Sequence, residues 1–252
     1  MNMNVTNAPT TGKTPLPKSD ESQAVPESRS IYGLTRFLVR AIAFLISRLH
    51  VEGVDNIPAS GPVILAMNHI HWMDIPLASL RVPRVTHYMA KIELFSVPLL
   101  GGFIRKLGAF PVRRGEGDRE AIRMSERILA EGRILVIFPE GHRSGNGVLL
   151  EAHPGAGYIA LRTGAPVVAV GVSGTQQIFK RFRPTVTIRY GKPFTIRPGD
   201  GKRTRDSVAP ATNQIMHQIA ALLPPEARGP YSDVVVHPSA ALTPEASEDR
   251  PE

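Results

Sequence analysis

A histidine and an aspartate, His69 and Asp74, are the residues of this sequence whose types and spacing best suit proton transfer. A carboxylate that hydrogen-bonds one imidazole nitrogen fixes the tautomer and stabilises the imidazolium, so the other nitrogen can take a proton from a hydroxyl. This pair is the base and orienting part of a catalytic triad, with the nucleophile supplied by a substrate. The alternative for His69 is a partly buried histidine at a helix cap. His50 and Asp55 share the spacing without a neighbouring basic cluster, and we interpret His50 as a structural or surface histidine.

A metal site is the second chemistry that this stretch suggests, because His71 lies between His69 and Asp74. No third strong ligand pattern such as HExxH accompanies them, so we predict no metal. The chain contains no cysteine. Thiolate metal sites, disulfides and a cysteine nucleophile are therefore excluded.

Arginines follow two further apolar runs of the sequence. Arg113 and Arg114 come after GAFPV (108–112), and Arg143 lies in PEGHRS after ILVIF (134–138). A guanidinium matches phosphate oxygens bidentately. Gly141 would let backbone N–H groups approach a ligand, and Glu140 could hold a substrate hydroxyl or an arginine. The alternative for each arginine is an ordinary solvated surface charge.

The elements that must position these residues alternate between short apolar runs and helical patterns. Strands are predicted at 63–67, 86–90, 108–112, 134–138, 166–172 and 185–190. Helices are predicted at 74–80, 93–107, 117–131, 155–163 and 204–223. Such alternation predicts an α/β fold, a mostly parallel mixed sheet flanked by helices, with sites at the carboxyl ends of its strands.

Composition divides the chain into four parts. Residues 1–30 and 224–252 are rich in Pro, Ser, Ala and polar residues, and we expect them to be disordered apart from a short strand at 234–236. Residues 50–223 form the predicted α/β domain. Residues 31–49 show apolar positions at helical spacing, interrupted by Arg36, Arg40 and Arg48. An amphipathic helix that lies in a membrane interface fits this pattern better than a spanning helix; the alternative is a helix packed on the protein's own core.

The positive charge is concentrated in the body of the chain. The net charge is +8, but residues 31–225 hold 25 basic and 13 acidic groups. An anionic partner is expected: nucleic acid, a membrane surface or a phosphorylated substrate. Aromatic residues make up only 6% of the chain, which disfavours base stacking, and we predict no nucleic-acid partner.

Four blocks of the sequence, between about residues 50 and 195, resemble the glycerolipid acyltransferases in the family's order. NHIHWMDIP is similar to the motif NHxxxxD, and KIELFSVPLLGGFIRKLGAFPVRR to the lysine-containing stretch and the arginine-ended second motif. FPEGHRS resembles the usual FPEGTRS, with His142 in place of threonine, and GAPVVAVGVSGT resembles the fourth, apolar block. The resemblance implies transfer of a fatty acyl group from acyl-CoA or acyl carrier protein, without a cofactor, to the hydroxyl of lysophosphatidic acid or a related lysophospholipid.

The resemblance also assigns roles by position. His69 is the implied general base and Asp74 its partner. The implied phosphate and head-group site consists of Lys91, Arg114, Glu140, Gly141 and Arg143. Arg113, next to Arg114, is a further predicted substrate-binding residue, at a position that is acidic in one branch of the family and basic in another.

Both substrates carry apolar chains and anionic heads, so a membrane surface is the expected location. We predict a peripheral or monotopic protein on the cytoplasmic face of the membrane. The predicted membrane contacts are Arg36, Phe37, Arg40, Phe44, Lys180, Arg181 and Arg183. Two alternatives stay open: glycerol-3-phosphate or a non-glycerol lipid as acceptor, and a catalytically silent lipid-binding protein of the same fold.

Overall fold

The computed structural model describes residues 29–113, 118–197 and 204–233. The helices are α1 (Arg29–Ile46), α2 (Asp74–Ser79), α3 (Leu100–Lys106), α4 (Arg119–Ala130), α5 (Gly155–Thr163) and α6 (Val208–Ala221). The strands are β1 (Arg48–Glu52), β2 (Val63–Met67), β3 (Thr86–Lys91), β4 (Ala109–Val112), β5 (Ile134–Ile137), β6 (Val167–Ser173) and β7 (Thr185–Tyr190). Short 3-10 helices include Ile92–Ser96, between β3 and α3.

The strands form one mixed sheet in the order β1-β7-β6-β2-β5-β3-β4. Strands β2 to β6 run parallel to one another, β7 is antiparallel to β6, and β1 is parallel to β7. The prediction of a mostly parallel mixed sheet is confirmed. The carboxyl ends of β2 and β5 are neighbours in this order, so the residues that follow them meet at one edge of the sheet.

Helices cover both faces of the sheet, because alternate residues of each central strand point to opposite sides. In β2, Val63 and Leu65 pack in the cluster that contains Ala43 of α1 and Leu77 of α2. Ile64 packs in the second cluster, with residues of α4, α5 and α6. All five residues of β2 are buried, as expected of a strand covered on both faces.

Three element boundaries differ from the prediction by more than two residues. The helix predicted at 31–49 ends at Ile46, and Arg48–Glu52 forms β1, so the α/β domain begins before residue 50. Leu49 and Val51 are half-buried between exposed polar residues, which is the two-residue period of a strand. The prediction had included Leu49 in the helix. The helix predicted at 93–107 is divided into a 3-10 helix and α3. The helix predicted at 204–223 is α6, which starts only at Val208. The predicted strand at 234–236 lies outside the described residues.

Candidate active site

Asn68 fixes the chain where β2 ends and the NHIHWMD segment begins. Its side-chain nitrogen donates to the Val172 carbonyl at 2.9 Å, and its side-chain oxygen accepts from the Val172 backbone N–H at 2.7 Å. The amide thereby adds one more pair of hydrogen bonds between β2 and β6. The sequence contained this asparagine beside the proposed base, but its role became visible only from the pairing of β2 with β6.

His69 and Asp74 form a buried hydrogen-bonded pair directly after Asn68. The distance from His69 Nδ1 to Asp74 Oδ2 is 2.9 Å, and the two side chains are 7% and 0% exposed. The same carboxylate oxygen accepts the backbone N–H groups of Ile70 and His71, each at 2.7 Å. Because an ionised carboxylate only accepts hydrogen bonds, it holds the proton on Nδ1 and leaves the Nε2 lone pair available as a base.

Packing also fixes the plane of the His69 ring. The ring stacks on Phe138 with 4.1 Å between the centroids and an angle of 28° between the planes. Phe138 follows β5, the strand next to β2. The imidazole is therefore held by Asp74 at one nitrogen and by Phe138 across its face.

The PEGHRS loop holds the backbone of His69 on both sides. Glu140 Oε1 accepts the His69 N–H at 2.8 Å, and the Ser144 N–H donates to the His69 carbonyl at 2.9 Å. Glu140 Oε2 accepts the Leu150 N–H at 2.9 Å. The carboxylate predicted to hold substrate or an arginine is instead buried and used by two backbone donors, which gives Glu140 a positioning role.

Gly141 provides the sharp turn that the loop needs after Glu140. Its φ is +70°, a value that residues with a side chain rarely adopt, and a Cβ there would lie 2.7 Å from His153 Cδ2. His142 and His153 stand with their ring centroids 6.2 Å apart. The turn gives Gly141 a structural role. Its other predicted role, which is to let backbone N–H groups approach a ligand, stays a prediction.

Burial raises the pKa of Glu140 to about 7, and the negative charge of Asp74 adds to this rise, while the two backbone hydrogen bonds oppose it. The folded protein therefore holds the proton more tightly than the unfolded chain, in which the pKa is near 4.5. The stabilisation from this proton is complete below pH 4.5 and is lost as the pH rises through about 7.

Glu140→Gln should therefore flatten the pH dependence of stability. We expect the free energy of unfolding of the wild type to fall by up to about 3 kcal/mol across this interval because of Glu140, and that of the variant to lack this part. Urea unfolding from pH 4.5 to pH 8 measures the difference. Glu151→Gln, an exposed carboxylate of the same loop, is the control. Parallel curves for Glu140→Gln and wild type would contradict the assignment.

Two positive side chains, Arg143 and Lys180, act on the charge of His71. Burial lowers the pKa of His71, and the charges of Arg143 and Lys180 lower it further against the opposing effect of Asp74. Arg143 and Lys180 therefore act on the same imidazole as the His69–Asp74 pair. His71 lies beside Trp72 and Phe179, whose rings stack with 6.2 Å between their centroids.

The other predicted head-group residues follow β3 and β4. Lys91 is the partner of Val112 in the strand register, so Lys91 and Arg113 leave neighbouring strands at the same edge. Lys91 is half exposed and paired with Glu93 at 3.0 Å, and the exposed Arg113 donates its backbone N–H to Asp118. Arg114 lies outside the described residues.

The predicted membrane contacts divide into two groups. Phe37, Phe44, Arg40, Lys180 and Arg181 are exposed. Arg36 and Arg183 are half-buried and have partners.

The partners of these two arginines show where each guanidinium is held. Arg36 donates to the Leu80 carbonyl at 2.7 Å, so its guanidinium points to the protein rather than to a membrane. Arg183 lies 5.1 Å from the Phe44 ring centroid, which joins the loop after β6 to the end of α1.

Within residues 29–113, 118–197 and 204–233, no three His, Asp or Glu side chains are grouped as metal ligands. None of the helices in these same ranges has the length and apolar character needed to span a bilayer.

Comparisons with known proteins show which family and fold this chain resembles. The acyltransferase family model matches residues 48–173, from the start of β1 to the end of β6. The 1-acyl-sn-glycerol-3-phosphate acyltransferase of Bacillus subtilis (strain 168) is 33% identical over 166 residues, which are 63% of this chain and 81% of that protein. The lyso-ornithine lipid O-acyltransferase of Pseudomonas aeruginosa is 36% identical over 143 residues, or 56% of this chain and 53% of that protein.

A solved structure shares the fold as well. The crystal structure of the 1-acyl-sn-glycerophosphate (LPA) acyltransferase from Thermotoga maritima aligns with a TM-score of 0.58 and 27% identity. The alignment covers 76% of this chain and 79% of that one. With the family model matching half of its length, from β1 through both segments that build the His69 site, the chain belongs to the acyltransferase family.

Proposed function

We propose that this enzyme transfers a fatty acyl group from a thioester, acyl-CoA or acyl carrier protein, to the hydroxyl of lysophosphatidic acid or a related lysophospholipid. The observation that carries the proposal is the buried His69–Asp74 pair at 2.9 Å, which leaves Nε2 as the base. Relatives named as 1-acyl-sn-glycerol-3-phosphate acyltransferases support this acceptor. A catalytically silent lipid-binding protein, which is the alternative function, would not need a buried and oriented base.

The reaction needs one base and one positioned acceptor. His69 Nε2 takes the proton of the acceptor hydroxyl as its oxygen attacks the thioester carbonyl. Asp74 stabilises the imidazolium that forms. When the tetrahedral intermediate collapses, the carbon–sulfur bond breaks and the imidazolium returns the proton to the leaving sulfur, which gives an ester and a free thiol. No acyl-enzyme forms in this scheme and no cofactor takes part.

The phosphate of the acceptor is proposed to lie between Arg143 and the edge where Lys91 and Arg113 leave β3 and β4. Arg143 is exposed on the PEGHRS loop and close enough to the catalytic segment to act on the His71 pKa. A guanidinium–phosphate pair is a charge-assisted contact that contributes about 1.5–3 kcal/mol. Glu140 is not part of this proposed site, because its carboxylate oxygens are occupied by backbone donors.

Arg143→Ala should raise the KM for lysophosphatidic acid about 10- to 100-fold, because one charged contact to the phosphate is lost. Arg123→Ala, an exposed arginine of α4 on the other face of the sheet, should leave KM unchanged. Product mass spectrometry with a pool of lysophosphatidic acid, glycerol-3-phosphate, lysophosphatidylcholine and lyso-ornithine lipid identifies the acceptor. An unchanged KM in Arg143→Ala, or acylation of only the acceptors without phosphate, would exclude the proposed phosphate site.

The second candidate acceptor is a lyso-ornithine lipid. The relative of that name is 36% identical to this chain, and His142 departs from the usual threonine of its motif. An acceptor without phosphate would be acylated by the same His69–Asp74 chemistry. The acceptor pool separates the two candidates directly.

We also propose that the enzyme docks as a peripheral or monotopic protein on the anionic cytoplasmic face of a membrane. Along α1 an apolar stripe faces away from the sheet: Leu34, Phe37, Leu38, Ile42, Phe44 and Leu45 are each 48–70% exposed. The exposed Phe179, Lys180, Arg181 and Phe182 follow β6. We name the α1 stripe and these four residues together the α1 surface. The contact between Arg183 and Phe44 joins its two parts. Apolar groups with cations beside them suit an interfacial position, in which each cation contributes about 1 kcal/mol.

A further inference from the structure

A second exposed apolar surface lies on the other side of the active site. It consists of side chains from the 3-10 helix, the turn after it and α3, and we name it the α3 surface: Leu94, Val97, Leu99, Leu100 and Phe103. Each is 39–93% exposed, and Leu99 is the most exposed of them. Several large apolar side chains exposed within one short segment are typical of a surface that binds a partner.

The backbone of the α3 surface is held in a fixed and strained form. Leu99 has φ 64° and ψ −45°, a conformation that is a genuine outlier for a bulky side chain. The neighbouring backbone is hydrogen-bonded, with Gly101 N–H donating to Val97 and Phe103 N–H donating to Leu99, both at 3.0 Å. A Cβ at Gly101 would overlap the Phe95 carbonyl, so α3 packs closely on the 3-10 helix. The fold thus holds a leucine in a strained conformation that exposes it to solvent, as is typical of functional positions.

Positive charge borders the α3 surface. Lys91, Arg105 and Lys106 lie within or next to these elements, and Glu93, which is paired with Lys91, is the single acidic residue from 91 to 106. The Arg105 guanidinium lies over the Phe95 ring at 4.7 Å. Apolar side chains bordered by cations match the apolar interior and anionic head groups of a bilayer.

The topology places the α3 surface so that it can act together with the α1 surface. The connections from β2 to β3 and from β3 to β4 run in the same direction along the sheet, so right-handed crossovers put α2 and α3 on the same face. That is the face which α1 covers. The loop after β6 and the 3-10 helix after β3 both leave carboxyl ends of parallel strands, with the His69 segment after β2 between them.

We propose that the α3 surface is a second membrane contact, which enters the head-group region of an anionic bilayer while the α1 surface enters it on the opposite side of His69. The proposal rests on the membrane docking given under the proposed function. The mouth of the site is then held against the bilayer from two sides, where a lysophospholipid acceptor can enter without crossing water.

Leu99→Gly tests the proposal, because glycine accepts this φ without strain and removes the exposed side chain. We expect its partition onto phosphatidylglycerol vesicles to fall about tenfold, as for the loss of one buried leucine side chain. The melting temperature of Leu99→Gly should equal or exceed that of wild type, since the strain is relieved. Turnover of a short-chain acceptor below its micellar concentration should be unchanged. Sedimentation of the full chain with vesicles, thermal unfolding and a thiol-release assay measure the three quantities.

Matched variants make the outcomes distinct. Leu38→Ala removes a leucine from the α1 surface, and Arg123→Ala removes a cation from the far face. If Leu38→Ala weakens vesicle binding and Leu99→Gly does not, the α3 surface is not a membrane contact, although α1 docking stands. If Leu99→Gly binds vesicles normally but changes the sedimentation coefficient, the surface joins two copies of the chain and the proposal is wrong. If the wild type acylates none of the acceptors, the proposed function is wrong. The vesicle measurement still tests the α3 surface, because it does not depend on turnover.

Discussion

Replacing His69 with alanine should lower kcat by about 10²- to 10⁴-fold, the contribution of a positioned general base. Without Nε2 no group in the His69–Asp74 pair can take the proton of the acceptor hydroxyl, while the donor and acceptor still bind. KM should therefore change little. Steady-state kinetics with purified enzyme and a thiol-release assay give both quantities.

His50→Ala is the matched control for this variant. His50 has the same five-residue spacing to an aspartate, but it is exposed in β1 and has no part in the His69 site. Its kcat should equal that of wild type. The alanine at position 69 removes a ring that packs on Phe138, so circular dichroism and the melting temperature must show that the variant is folded. A folded His69→Ala protein with more than about half of the wild-type kcat would eliminate the proposed base.

Changes at Asp74 should reduce both activity and stability, and two variants separate the effects. Asp74 Oδ2 accepts hydrogen bonds from His69, Ile70 and His71, and the residue is completely buried. In Asp74→Asn the amide oxygen can still accept these bonds, but the negative charge that stabilises the imidazolium is lost. We expect kcat to fall about 10²- to 10⁴-fold with a modest loss of stability.

Asp74→Ala leaves the buried Ile70 N–H and the part-buried His71 N–H without their acceptor, and a buried group without a partner costs about 1–3 kcal/mol. The free energy of unfolding, measured with urea, should therefore fall further in Asp74→Ala than in Asp74→Asn. Asp55→Asn, in the pair with the same spacing near β1, should change neither quantity. Wild-type kcat in a folded Asp74→Asn protein would show that the carboxylate charge has no part in catalysis.

The sequence was most informative where one physical requirement dominated. Strand β2 needs apolar residues on both faces, and its bounds at 63–67 were predicted from that run alone. The bounds of β7, 185–190, also agree with the prediction, although only one of its faces is fully buried. His69 and Asp74 were identified from their residue types, their spacing and their position between a predicted strand and a predicted helix. Each of these features depends on residues close together in the chain.

Where distant parts of the chain meet, the sequence was a weaker guide. Glu140 was predicted to bind substrate, because nothing in PEGHRS shows that its carboxylate is opposite the His69 N–H. Arg36 belongs to an amphipathic pattern, yet its guanidinium is bound by the Leu80 carbonyl. Strand β1 was missed because a half-buried edge strand of five residues has little signal beside a long apolar helix. These outcomes depend on tertiary contacts over tens of residues, for which local periodicity carries no information.

The two sets of long-range hydrogen bonds at the end of β2 affect when activity appears during refolding. Asn68 is bound to Val172 and His69 to Glu140, across 104 and 71 residues of chain. Closing such loops is slow compared with forming local helices. A partly folded chain with its helices formed but β5 and β6 not yet docked beside β2 would have the right residues in the wrong places. Recovery of enzymatic turnover therefore reports the completion of the sheet, later than any signal from helical content.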